Sequence, residues 1–408
     1  MNVLISANKR YVSLLLLFVI YSNSTQCNTF VPIQNHTTKA EIAIGTHVSC
    51  ITLNFTLSAQ FKKTFNAEKN QLIFTFENTQ LDAYNQSDLI KKTAQLNTQG
   101  ITSINLKQEE NLVSLTIDFK KEDQNGWIIY WYAWENKEPT FTHHRLELSM
   151  YRVSHGQLLV NHKTAKNNQT SISHKTHNVI IDPGHGGAAL GAHYEGYEEK
   201  TFNLDLAQKV KICLSKAGLN TTLTRIDDYD ISLAERAENA LKLGGDIFVS
   251  IHNNATAAPT KEIHDAVHGI ETYYLESREI NDQLQPTHFL FINIKPNAML
   301  AKEVINHLRK KLLSSQQLAQ SIQQSVLASV HNIYPEIRDN GIKTAHYRVL
   351  LLSTLAIPAI LVEVGYMSNS NELKKLADPA YRQLVAQGIC NGVVEFVKNN
   401  EKQSHVLE

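Results

Sequence analysis

Apolar and polar positions follow one rhythm in the first part of this chain and another in the second. Residues 49–57 alternate apolar and polar side chains, the period of a strand with one face buried. Residues 71–76, 112–119, 127–132 and 144–150 read as strands of the same kind, separated by polar, turn-forming stretches. Residues 38–152 are therefore predicted to form a small all-β sandwich. A polar, aperiodic linker occupies 153–176. Strands and helices then alternate. A short apolar strand at 179–181 precedes a helix over 201–217, where Phe202, Leu204, Leu206, Val210 and Leu214 share a face and Gly218 supplies the stop. Strands are predicted at 221–224, 246–251, 268–275 and 359–362, and an extended segment at 343–352. Ser232, with Glu235 three residues on, forms a capping box that starts a helix over 232–243. A terminal helix covers 379–397. Residues 177–400 thus read as an α/β domain with a mixed central sheet flanked by helices.

Residues 276–314 interrupt this alternation. Their second half, 298–313, has the spacing of a basic amphipathic helix, and another helix is expected over 315–330. Two surface helices covering the sheet would explain the pattern; a regulatory insertion lying over the active site would explain it too. At the start of the chain, Lys9 and Arg10 precede an apolar run over 11–21 and then small polar residues. The run is shorter than the about 20 residues a spanning helix needs, so residues 1–27 are read as a secretory signal. Contact with a membrane is expected only through that segment.

Composition narrows the function classes. The chain has 408 residues, with Lys+Arg and Asp+Glu both at 39. A protein that grips nucleic acid by charge is basic, so no nucleic-acid partner is expected. Cys27, Cys50, Cys213 and Cys390 are too few and too scattered for a disulfide framework. Cys213 and Cys390 sit in apolar helical contexts and are expected to pack in the core.

Candidate chemistry lies where apolar runs end. I-I-D-P-G-H-G-G presents His185, S-I-H-N-N-A presents His252, and I-L-V-E-V-G-Y-M-S-N presents Glu363. Ligands of open α/β sheets gather at the carboxyl ends of strands. Two histidines and a carboxylate there make an open zinc site, and a further carboxylate could act as its base. Glu199, at the start of the 201–217 helix, is a candidate; Glu198 competes with it, and either also suits the helix dipole. A salt bridge to Arg338 or Arg348 would be an alternative use for Glu363. The same donor set can hold iron in an oxygenase, but no co-substrate motif accompanies it. His143 and His144, adjacent on a predicted strand, point to opposite faces and read as solvated.

The segment 179–397 resembles the catalytic domain of zinc-dependent N-acetylmuramoyl-L-alanine amidases, the amidase_3 family. The resemblance runs in order through D-P-G-H-G-G (182–187), E-K (199–200), L-T-R-x-D-D (223–228), L-A-E-R (233–236), D-I-F-V-S-I-H-N-N-A (246–255), G-I-E-T-Y-Y (269–274) and L-V-E-V-G-Y-M-S-N (361–369). It implies a phosphorylase/hydrolase-like fold, one zinc ion on His185, Glu199 and His252, and Glu363 as the catalytic glutamate. The implied reaction cleaves the amide between the muramic acid lactyl group and L-alanine of the stem peptide, with peptidoglycan as the partner; the signal segment, zero net charge and the β-rich module point to an exported, periplasmic location. Asn253 and the Asp339-Asn-Gly341 sequence depart from the family's usual Ala and Asp-Arg-Gly. Some cell-division members carry an inserted helix that an activator protein of the division machinery displaces, and 276–314 falls near that place. The β-rich segment is similar to AMIN domains, which bind or localise to the wall. Two other readings stand beside this one: a non-catalytic wall-binding regulator on an amidase fold, and a zinc peptidase cutting within the stem peptide.

Overall fold

A computed structural model describes residues 36–44, 48–55, 61–77, 79–81, 101–121, 125–137, 142–154, 157–158, 177–257, 260–275, 289–292, 297–345, 347, 349–350 and 357–406. The segment read as a signal, 1–27, and most of the linker lie outside these residues. The first part is strand throughout: β1 (His36–Ile44), β2 (Val48–Phe55), β3 (Phe61–Asn66), β4 (Gln71–Glu77), β5 (Thr79–Leu81), β6 (Ile101–Glu109), β7 (Leu112–Phe119), β8 (Asn125–Lys137), β9 (Thr142–Ser154) and β10 (Gln157–Leu158). One antiparallel sheet has the order β3-β4-β7-β6. A second contains β8-β9-β2-β1-β5, with β10 on β9. The alternation foreseen in the sequence puts Leu72, Phe74 and Phe76 of β4 and Val113, Leu115 and Ile117 of β7 inward. They meet Trp127, Ile129, Leu148 and Met150 of the other sheet in one buried cluster. Each such side chain contributes about 1.5–3 kcal/mol of burial, and the expected sandwich is observed.

The second part contains β11 (Asn178–Pro183), β12 (His193–Tyr194), β13 (Tyr197–Glu198), α1 (Glu199–Lys216), β14 (Asn220–Leu223), α2 (Leu233–Lys242), β15 (Ile247–Asn254), α3 (Lys261–Ala266), β16 (Ile270–Tyr274), β17 (Phe289–Ile292), α4 (Ala298–His331), β18 (Asp339–Thr344), β19 (Ala359–Tyr366), α5 (Ser370–Ala377) and α6 (Pro379–Val406). Its six-stranded sheet has the order β14-β11-β15-β19-β16-β18. The first four of these strands run parallel, and β16 pairs antiparallel with β19, giving the mixed sheet the sequence predicts. Alternate side chains face two apolar layers. Val179, Ile181, Val249, Ile251, Ile360 and Val362 pack with α1, α4 and α6. Ile180, Phe248, Ala359 and Leu361 pack on the opposite face with Ala240 of α2. The capping box is formed: Ser232 N–H donates to Glu235 at 2.8 Å and Glu235 N–H to the Ser232 hydroxyl at 3.2 Å.

Three expectations need correction. The helices expected over 298–313 and 315–330 are one helix, α4, of 34 residues. Ser315 does not break it, because its hydroxyl donates to Lys311 O at 3.0 Å within the helix and accepts Ala359 N–H of β19 at 3.0 Å. The apolar face also runs unbroken through the junction, with Leu308, Leu312, Leu318 and Ile322 all buried. The described residues Val349 and Leu350 are helical rather than extended. Cys213 of α1 and Cys390 of α6 are joined in a disulfide rather than packed as free thiols. Within the insertion 276–314, β17 pairs with β8 of the sandwich. Residues 276–288 and 293–296 are outside the described ones.

Candidate metal centre

The loop after β11 brings His185 to the sheet's carboxyl edge. His185 has φ 59°, the left-handed region that non-glycine residues rarely adopt. Such strain costs about 1–3 kcal/mol and survives where the surroundings over-determine it. Two buried arginines do so here. Arg225 donates from Nε to Pro183 O at 3.0 Å and from Nη2 to Gly184 O at 3.0 Å and Lys200 O at 2.8 Å. Arg236 donates to Pro183 O and His185 O, both at 2.8 Å. Asp182, 1% exposed, receives Arg236 Nη1 at 2.8 Å and the hydroxyls of Thr224 and Ser250. Burial works against its charge, but Arg236 and the two hydroxyls prevail and hold the carboxyl below its usual range. Asp228 and Asp230 brace the outer loop by accepting the N–H groups of Gly187, Ala188 and Ala189.

Glu199 is the first residue of α1 and is 4% exposed. Its Oε2 lies 3.1 Å from His185 Nε2, and its Oε1 lies 2.9 Å from His252 Nδ1. Oε2 also accepts Ala192 N–H at 2.8 Å, while Oε1 accepts Asn253 N–H and Asn203 Nδ2, both at 3.1 Å. Burial opposes ionisation, yet the contacts with His185 and His252 outweigh it and push the carboxyl far below its usual range. Glu198, the competing residue, is the N-cap of α1 and turns to Lys200 Nζ at 3.4 Å. One donor atom each from His185, Glu199 and His252 lies within 4.8 Å of the others. Two nitrogens and a carboxylate at that mutual spacing suit a tetrahedral cation with one open position. The space around them is kept by glycine: a Cβ on Gly184 would collide with the His252 imidazole, and one on Gly191 (φ +70°) with the Glu199 carboxylate.

Glu363 sits within β19, directly across from His252 of β15 in the parallel register. Sequence reading placed it after the strand; the strand in fact runs on to Tyr366. The residue is 7% exposed, and its Oε2 is buried with no hydrogen-bond partner among the described residues. Among the described residues Arg338 makes no salt bridge to it, and Arg348 lies outside them. Burial, followed by the charges of Glu199 and Glu271, raises its carboxyl well above the usual range. Glu271 lies opposite Glu363 on the antiparallel side, in β16. It is held by Asn254 Nδ2 at 2.6 Å, the hydroxyls of Tyr273 at 2.8 Å and Tyr366 at 3.0 Å, and Lys343.

All four candidate residues therefore converge. Sequence reading missed Asp182, Arg225, Arg236, Asn203 and Glu271 as parts of the surround. Asp182 and Glu271 carried a signal, an acid inside an apolar run; the arginines carried none beyond the blocks they sit in. The unusual Asn253 is buried and donates its amide to Asn203 Oδ1 at 2.7 Å, extending the bracing of Glu199.

Two family profiles and several named relatives match the chain. The family profile described as N-acetylmuramoyl-L-alanine amidase (Amidase_3) matches residues 179–395, and the AMIN domain profile matches 46–136. The chain is 30% identical to the N-acetylmuramoyl-L-alanine amidase LytC of Bacillus subtilis over 220 residues, covering 54% of this chain and 35% of that protein. It is 29% identical to the amidase AmiA of Salmonella typhimurium over 229 residues, covering 53% of this chain and 75% of that protein. Among solved structures, the amidase AmiC2 of Nostoc punctiforme is 27% identical, with 54% of this chain and 97% of that one covered at a TM-score of 0.42.

Proposed function

We propose, for a chain that belongs to the Amidase_3 family of N-acetylmuramoyl-L-alanine amidases, that it hydrolyses the amide joining the lactyl group of N-acetylmuramic acid to L-alanine in peptidoglycan. The observation that carries this reading is the buried, unpartnered Oε2 of Glu363 on the strand beside His252, next to three convergent donors. His185, Glu199 and His252 would hold a zinc ion. When bound, zinc supplies Lewis acidity that lowers the pKa of a water to about 7 and polarises a carbonyl. The protein's own groups do the rest. Glu363 takes the proton from the attacking water at Oε2 and returns it to the leaving amine of L-alanine. The Asn203, Asn253 and Ala192 donors keep Glu199 in one orientation, and Arg225 and Arg236 keep the His185 backbone in its strained one.

The β-sandwich serves as the wall-binding or localisation module, and export to the periplasm places both near the substrate. The basic-then-apolar start and the Cys213–Cys390 disulfide both support export, since disulfides persist in oxidising compartments. The domains on this reading are 38–152 and 177–400, joined by 153–176.

The test is digestion of purified peptidoglycan by wild type, by zinc-depleted protein and by Glu363→Ala, with products read by mass spectrometry. The expected products carry a free L-alanine amine and intact lactyl-muramic acid. Glu363→Ala should bind one zinc per chain and lose activity by about 100-fold or more. Cuts within the stem peptide would make the protein a zinc peptidase. Binding without any cut would make it a non-catalytic wall regulator.

A further inference from the structure

The insertion between β16 and α4 contains one run of four consecutive apolar residues, Phe289-Leu-Phe-Ile292, in a polar segment bracketed by Pro286 and Pro296. A surface lid has no use for such a run, whereas a buried strand does. The run is β17, and it lies antiparallel to β8 with Phe289 opposite Tyr130, Leu290 opposite Ile129, Phe291 opposite Ile128 and Ile292 opposite Trp127. Ile292 is 1% exposed and belongs to the interior cluster of the sandwich, with Trp127, Leu148, Met150 and Phe74. By sequence the strand falls inside the amidase profile, residues 179–395; by fold it is an edge strand of the sheet whose profile is 46–136.

We infer that the outer edge of β8 is a strand-docking surface whose occupant is the chain's own β17, so that this insertion clamps the amidase domain to the sandwich. An uncovered sheet edge offers a row of unpaired backbone groups. Adding a strand satisfies them, while the side chain seated in the core gives selectivity. Further contacts flank the clamp. The Tyr151 ring of β9 meets His307 of α4 at a centroid distance of 6.5 Å, α4 passes β10, and α2 lies beside β1. The clamp belongs to the folded chain; the hydrolysis readout below rests on the reaction proposed above, whereas the tryptophan midpoint and the cysteine cross-links do not.

The chain contains an internal probe for this. Its three tryptophans, Trp127, Trp131 and Trp134, all lie on β8, so tryptophan fluorescence reports on the strand that β17 covers. In wild type, the thermal loss of the tryptophan signal should coincide with the loss of hydrolysis of a small soluble muramyl peptide. Phe291→Pro removes a backbone N–H and stiffens β17. It should lower the tryptophan-reported midpoint by at least about 4 °C and leave hydrolysis at room temperature within about twofold of wild type, a change of no more than about 0.4 kcal/mol. A second measurement does not depend on that variant folding. Residues directly opposite in an antiparallel pair have Cβ atoms about 4.5–5.5 Å apart, so Ile129→Cys with Leu290→Cys and Ile128→Cys with Phe291→Cys are made in the full chain. At least one pair should cross-link under mild oxidation, as shown by peptide mapping. An unchanged tryptophan midpoint in folded Phe291→Pro, or two folded cysteine pairs that both stay reduced, overturns the clamp.

Discussion

Reducing the Cys213–Cys390 bond should cost this protein a large part of its stability without unfolding it. The bridge links α1 to α6 across a sequence separation of 177 residues. In the chain-entropy picture, closing a loop of that size in the unfolded state is worth about 5 kcal/mol, the upper end of the range for disulfides. Native strain and residual unfolded structure reduce such values, so a loss of about 2–5 kcal/mol is expected. The fold should persist because the two helices meet through more than sulfur. Phe202, Leu206, Val210 and Leu214 of α1 and Tyr381, Val385, Ile389 and Val393 of α6 share one buried cluster. The assay is urea unfolding of the oxidised protein, the reduced protein and Cys213→Ala with Cys390→Ala. The midpoint should fall in the latter two. The slope should rise, because an unfolded chain without the cross-link exposes more surface. If peptide mapping of protein from an oxidising compartment finds both thiols free, or if reduction leaves midpoint and slope unchanged, the reasoning fails.

Two further outcomes follow from the site. Arg225 is fully buried and donates to the carbonyls of Pro183, Gly184, Lys200 and Asp227. Lysine cannot reproduce that fork, so Arg225→Lys should destabilise the metal-free protein by about 3 kcal/mol, read from its urea midpoint, through carbonyls left unpaired. Glu363 has its folded pKa raised, first by burial and then by Glu199 and Glu271. The native state therefore holds this proton more tightly than the unfolded chain, where glutamate titrates near about 4.3. The associated stability is present below that pH and is lost as pH rises towards the folded pKa. Thermal scans of chelator-treated protein should show this decline above about pH 4.3 in wild type and a flatter profile in Glu363→Gln; equal slopes would refute it.

The sequence made the site legible where a polar residue interrupts an apolar run. His185, His252 and Glu363 stand out this way, because placing such groups at the edge of a core has a cost that demands a reason. Glu199 did not stand out on its own, since an acid in a first helical turn is ordinary; only the family blocks singled it out, and the fold then showed it buried between the histidines. The burial of Arg225 and Arg236 was not legible. Apart from Asp182, which receives Arg236, their partners are main-chain carbonyls, and carbonyls leave no trace in residue identity. The disulfide was hidden for a similar reason: each cysteine sits in an apolar helix, and nothing local indicates that the two helices pack together. Strand β17 left a visible apolar run, but its partner β8 lies in another domain, so periodicity could suggest a strand and not where it docks.

The two buried glutamates of the site are built in opposite ways, and that contrast is the physical reason to give them different roles. Glu199 is saturated: two backbone N–H groups, one side-chain amide and two imidazoles converge on its oxygens. A carboxylate so restrained stays ionised and keeps its orientation, which suits a ligand and disqualifies it from picking up and releasing a proton. Glu363 is almost equally buried, yet its Oε2 has no partner among the described residues, and the charges of Glu199 and Glu271 repel it. Leaving a buried acceptor unsatisfied costs about 1–3 kcal/mol, a cost the fold could have removed with one hydroxyl, as Thr224 and Ser250 do for Asp182 two strands away. A vacancy of this kind beside three convergent donors is useful only if the missing partner arrives with the reaction. A proton from water is such a partner, and a cation on the neighbouring ligands would offset the repulsion until it comes.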